Sequence, residues 1–163
     1  MSWVMMDEFD ERVRVAKCRT TSREVLAALA CDDDTYVREE VARNPNTPPE
    51  TLLQLAQPHQ TWYTRWCVAK NPSACVEALT LLSYDDIEDI RCMVARRNDV
   101  PVDLLRRFAE DDHFFVRMDV VHNSITPMEI LADLTHDEDE PIRRWAWRSL
   151  ERRGILGLLG DGD

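Results

Sequence analysis

"VREEVARNPNTPPETLLQLA", residues 37–56, returns 79 residues later as "VRMDVVHNSITPMEILADLT", residues 116–135. A stretch written twice calls for a search for a period, because a missed repeat misreads the whole fold. The valine of "VA" falls at Val15, Val41, Val68, Val94 and Val120, with Ala146 in the sixth place, in steps of 26, 27, 26, 26 and 26 residues. Two leucine columns keep the same step: Leu26, Leu52, Leu79, Leu105, Leu131, and Leu29, Leu55, Leu82, Phe108, Leu134. An arginine column runs Arg12, Arg38, Arg65, Arg91, Arg117, Arg143. Columns that hold register this long identify a repeat protein.

Within one copy, Val37 and Val41 lie one helical turn apart with Ala42 beside them, which predicts a short helix over 35–43 with one buried stripe. Asp32-Asp33-Asp34 before it offers an N-cap oxygen and puts negative charge at the positive end of the helix dipole. Asn44-Pro45 ends it, the asparagine being expected in a left-handed exit and the proline excluding helix from the residue before it. "TPPE" starts a second helix: Thr47 reads as the cap, Pro48 as the first helical residue and Glu50 as the closing member of a capping box. Thr126-Pro127-Met128-Glu129 repeats that signal, and Thr21-Ser22-Arg23-Glu24 keeps it without the proline. The second helix carries Leu52 and Leu55 on one face. Helices this short do not persist alone in water. Stacking successive pairs buries the Val, Ala and Leu columns in one core, which predicts an all-α α-solenoid of about 26-residue two-helix repeats.

The combination of VR, VA, NP and TPxE at fixed offsets, in "VREEVARNPNTPPETLLQLA", resembles the leucine-rich repeat variant family, bacterial relatives of HEAT-type solenoids. The likeness runs from Glu11 to Arg153. It implies a right-handed superhelix in which one helix of each pair can be 3₁₀. Some relatives carry a cysteine-rich iron–sulfur segment before the repeats. Here the ten preceding residues, "MSWVMMDEFD", hold no cysteine, so no cluster is expected. The expected layout is a cap segment over 1–10, five to six repeats over 11–153, and a C-terminal cap or flexible tail over 154–163. In that tail Ile155, Leu156 and Leu158 are the residues expected to cover the last repeat.

With 163 residues, the chain can bury a real core. It has no apolar run long enough to span a bilayer, and its acidic start "MMDEFDER" is the reverse of a signal peptide, so a cytoplasmic location is expected. Five cysteines (Cys18, Cys31, Cys67, Cys75, Cys92) form no C-x-x-C pair and read as reduced structural thiols. Four histidines (His59, His113, His122, His136) are scattered over different repeats. No glycine precedes residue 154, so phosphate-cradling loops and nucleophile elbows are absent. The expectation is a protein with no catalytic residues, no metal and no cofactor.

Net charge is −11, and the acids cluster before the first helix of a repeat: Asp32 to Asp34, Asp85-Asp86 with Glu88-Asp89, Glu110 to Asp112, and Asp137 to Glu140. In a solenoid these would align as an acidic ridge. The residue after "VA" is basic at Lys17, Arg43, Lys70, Arg96, His122 and Arg148. The arginine column itself stands over the buried stripe, so its forks are expected to pair with loop carboxylates of the adjacent repeat as a structural ladder. Arg43 is expected to pair with Glu39 one turn before it.

The single 27-residue step breaks the pattern. Its loop reads "QPHQTWY" instead of acid, and Trp62, Tyr63 and Trp66 gather within five residues, with Lys70 one turn beyond Trp66. Exposed aromatics beside cations are typical partner anchors. A plainer reading has Trp62 plugging a wider groove between repeats, and Trp145 and Trp147 covering the last repeat. The sequence therefore points to a non-catalytic protein–protein interaction scaffold, with Trp62, Tyr63, Trp66, Lys70, Arg43 and Arg96 as partner-contact residues. Two alternatives stay open: nucleic-acid phosphates held by the basic columns, or an acidic mimic that occupies a nucleic-acid-binding protein.

Overall fold

The computed structural model describes residues 8–154. Among these it is all-helical: eleven α-helices and no strand. Residues 1–7 of the expected cap segment, and residues 155–163 of the expected tail with Ile155, Leu156 and Leu158, lie outside the described residues.

The chain divides into two compact units, one up to Ile90 and one from Arg91. The first holds Glu8–Lys17 (α1), Arg23–Leu29 (α2), Thr35–Arg43 (α3), Pro49–Leu55 (α4), Trp62–Lys70 (α5) and Val76–Leu82 (α6). At the division lies Glu88–Ala95 (α7). The second holds Val102–Ala109 (α8), Phe114–His122 (α9), Met128–Leu134 (α10) and Glu140–Arg152 (α11). All are α-helices, including the short ones for which the resemblance allowed 3₁₀. α1 starts at Glu8, inside the segment 1–10 expected as a cap.

In the first unit α3 packs on both α1 and α5, while α4 packs on its own partner α3 and on α6. Leu26, Val37, Val41, Leu52, Leu55, Val68, Leu79 and Leu82 are fully buried there. Val15 and Leu29, which begin the same columns, are only half-buried. In the second unit α9 packs on α8 and α11, and α10 on α8 and α11. Its core is Leu105, Phe108, Val116, Val120, Leu131, Leu134 and Ile142. Apart from Val15 and Leu29, the apolar columns supply core residues in each unit, as the spacing predicts.

Three local expectations need correction. Asp34 does cap α3, accepting from the Tyr36 N–H at 2.8 Å, but Thr47 does not cap α4. The cap position belongs to Pro48, with Pro49 as the first helical residue, and no side chain closes a box. A proline there has no N–H for Glu50 to satisfy. Thr47 is buried and donates instead to the Val41 carbonyl at 2.6 Å. Thr126 likewise donates to Val120 and Thr21 to Val15, and Ser22 takes the cap of α2. Finally, Asn44 leaves its helix in an extended conformation (φ −69°), not a left-handed one.

Candidate functional site

An asparagine two residues past the "VA" position, at 44, 71 and 123, holds neighbouring helix pairs together. Asn44 Nδ2 donates to the Ala16 and Cys18 carbonyls at 2.7 and 2.9 Å, one repeat back, while its Oδ1 accepts from the Asn46 N–H. Asn71 does the same to Ala42 and Asn44, and Asn123 to Ala95 and Arg97. All three are buried. One amide therefore satisfies two carbonyls at the C-terminal end of a helix, where no intrahelical donor reaches them. Just after α11, Arg153 plays a comparable part, donating to the carbonyls of Asn123, Ser124 and Thr126.

The column arginines make a second seam. Arg65 grips Asp85 with two nitrogens at 2.6 and 3.0 Å and donates backward to the Gln60 carbonyl at 2.7 Å. Arg91 holds Asp111 at 2.8 and 2.9 Å, and Arg117 holds Asp137 at 2.8 and 3.2 Å. Arg12 pairs with Asp32 at 2.8 Å, and Arg143 donates to the Asp137 and Glu138 carbonyls. Bidentate forks of this kind are the strong class of ion pair. Donating to the Asp85 carboxylate raises the Arg65 pKa above its ordinary value, and donating to Asp137 raises that of Arg117.

The acid runs are consequently split. Asp85, Asp111 and the Asp137 side chain are buried on their arginines, while Asp33, Asp86, Asp89, Glu110, Asp112, Glu138 and Glu140 are exposed.

The 27-residue step places its extra residue in the loop 56–60. There Arg38 meets Gln60 Oε1 at 3.1 Å instead of an aspartate, and makes up its bonds with Thr35 Oγ1 and the carbonyls of Asp32 and Asp33. Thr61 caps α5 through its hydroxyl. The helix then presents an aromatic series. Trp62 stands edge-on to Tyr63, with ring centroids 5.3 Å apart, and Tyr63 stacks on Trp66 at 5.6 Å and 12°. Arg43, from α3, lies over Tyr63 at 5.0 Å, and Lys70 lies over Trp66 at 4.4 Å. Each ring of the stacked pair therefore carries a cation.

Five of the six expected contact residues are thus brought together: Arg43, Trp62, Tyr63, Trp66 and Lys70. Trp62 is 55% exposed, which does not suit a groove plug; Tyr63 and Trp66 are half-buried and Lys70 is exposed. Beside them opens a cleft of about 310 Å³ lined by Arg43, Tyr63, Trp66, Cys67, Lys70 and Pro72. Arg43 pairs with Glu40 at 3.0 Å, not with Glu39, whose carboxylate accepts from the Thr61 hydroxyl. Burial pushes the Cys67 thiol up, so it stays protonated at neutral pH. Arg96 belongs to the other unit, where it pairs with Asp119 at 2.8 Å.

Buried Glu40 and the asparagine series went unread in the sequence. Asn44, Asn71 and Asn123 recur on the repeat period, and that recurrence was the available signal. Among the described residues, no three His, Cys, Asp or Glu side chains gather as a metal site.

Residues 36–57 match the family model described as leucine rich repeat variant, a HEAT-like helical repeat, and the matched segment takes in α3 and α4, one helix pair. No curated protein matches the chain.

Proposed function

We propose that this chain, which carries a leucine rich repeat variant segment, is a non-catalytic protein–protein interaction scaffold. In this reading each unit is a run of α-solenoid repeats about 26 residues long. The two seams of buried asparagines and arginines hold the repeats in register, leaving outward positions free to vary. A cytoplasmic location is part of the proposal; among the described residues no helix is long and apolar enough to cross a membrane.

The observation that carries the reading is the Trp62, Tyr63 and Trp66 series, with Arg43 and Lys70 on its rings, beside an open cleft. Large exposed aromatics next to cations are the residue types that dominate interface energetics. The alternative, phosphate binding along the basic columns, is disfavoured by the pairing of Arg65, Arg91 and Arg117, whose forks are already taken by buried carboxylates.

The test is a pull-down with the tagged full chain from native lysate, read by mass spectrometry and by nuclease-sensitive absorbance. A discrete protein partner weakened by Trp66→Ala and by the more exposed Trp62→Ala is expected. Nuclease-sensitive material without such a partner would overturn the proposal.

A further inference from the structure

We infer that the cleft beside the Tyr63–Trp66 stack takes an acidic linear peptide, one that sets carboxylates on Arg43 and Lys70 and a large apolar or aromatic side chain against the rings. The inference rests on the interaction-scaffold reading and adds the chemistry of the partner.

Size comes first. At about 310 Å³ the cleft stands at the small end of ligand sites, enough for one large side chain and its neighbours. Tyr63, Trp66 and Pro72 give it apolar walls, and the exposed Trp62 ring extends the aromatic surface beyond them. A linear segment with one anchoring residue matches that shape.

Charge decides the flanks. Lys70 is exposed and pairs with no carboxylate among the described residues; its ammonium rests on Trp66 alone. Arg43 shares Glu40, a side chain only 6% exposed, and keeps its own side chain 42% exposed. Glu39 is engaged by the Thr61 hydroxyl. The neighbouring loop, Gln57-Pro58-His59-Gln60, has no acid, whereas the loops holding Asp32 and Asp85 carry two or more. In a chain of net charge −11 the patch is thus a local cationic site, and such complementarity favours an acidic partner.

Two other ligand classes fit less well. A cationic ligand would be repelled by Arg43 and Lys70, whose charges already lie over Tyr63 and Trp66. A nucleic-acid strand needs a cationic track with successive stacking platforms. Here there is one ring pair, stacked on itself, and the same unit exposes Asp33 and Asp86 to a passing backbone.

The experiment is panning of a random dodecapeptide phage library on the full chain, followed by titration of the enriched peptide, synthesised with a fluorescent label. Enrichment of sequences combining Asp or Glu with Phe, Tyr, Trp or Leu is expected. Their affinity should fall about tenfold or more in Lys70→Glu and in Arg43→Glu, survive in Lys70→Arg, and weaken as salt rises. Circular dichroism of each variant keeps misfolding apart from lost contacts. A basic or uncharged consensus, enrichment unchanged on Lys70→Glu, no enrichment, or tighter binding of a dodecathymidine strand than of any peptide would overturn the inference. A lysate partner that depends on Trp62 and Trp66, found alongside no acidic consensus, would sink this inference and leave the scaffold reading standing.

Discussion

Arg117 and Arg38 occupy the same column and meet different surroundings. Arg117, 6% exposed, spends one nitrogen on the Asp111 carbonyl six residues back and the others on Asp137 and Asp139. Arg38 makes the same backward bond, to the Asp32 carbonyl, but its forward partner is the neutral Gln60. The carbonyl grip is common to both and the carboxylate is not. Where the carboxylate is missing, the loop has gained a residue and the following helix opens with exposed tryptophan in place of packed charge. Relaxing one ion pair is the local change that accompanies the candidate binding surface.

The comparison breaks most visibly at the arginines. Arg117→Ala should cost about 3 kcal/mol, because it strands the buried Asp137 carboxylate and the Asp111 carbonyl. Arg38→Ala should cost about 1 kcal/mol, the scale of a few neutral hydrogen bonds exposed at one side. Guanidinium unfolding of the two variants measures both, and equal losses would show that the forward carboxylate contributes nothing.

Acid offers a second, smaller contrast. Burial opposes ionisation of Asp111, yet the Arg91 fork, the His113 N–H and the nearby Arg107 outweigh it and hold the carboxyl below its ordinary value. A carboxyl depressed in the folded state contributes stability above its unfolded pKa and loses it as pH falls through the folded value. The unfolding midpoint should therefore drop on acidification below about pH 4. Asp111→Asn should be less stable at neutral pH and show a shallower acid slope, whereas Gln60→Ala should leave that slope unchanged. Smallest of all, Gln60→Glu would set a carboxylate before Arg38 and should add no more than about 1 kcal/mol, a gain that high salt removes. Thermal melts at low and high salt would read it.

Most of the helical framework was legible because core columns need apolar residues at fixed intervals, and Val37, Val41, Leu52 and Leu55 are buried as their spacing predicts. The aromatic departure was legible too, since a broken period stands out against the copies around it. What escaped was the partner of each polar residue. A threonine before proline looks like a cap from sequence alone, yet Thr47 reaches six residues back to Val41, as Thr126 does to Val120, because the proline after it takes the cap position. Likewise Arg43 has carboxylates three and four residues before it, and only the packing of α3 turns Glu40 inward beneath it. The asparagines read as helix stops, which they are, but their amides act across to another repeat, and no local pattern reports such a bond.

The asparagine bonds also have a direction. In the first unit Asn44 donates to carbonyls of residues 16 and 18, and Asn71 to those of 42 and 44, always toward the part of the chain made earlier. During synthesis the donor therefore emerges after its acceptors, and each helix pair can dock on a predecessor already outside the ribosome. For this asparagine seam, growth from the N-terminal end does not have to wait for sequence still to be translated.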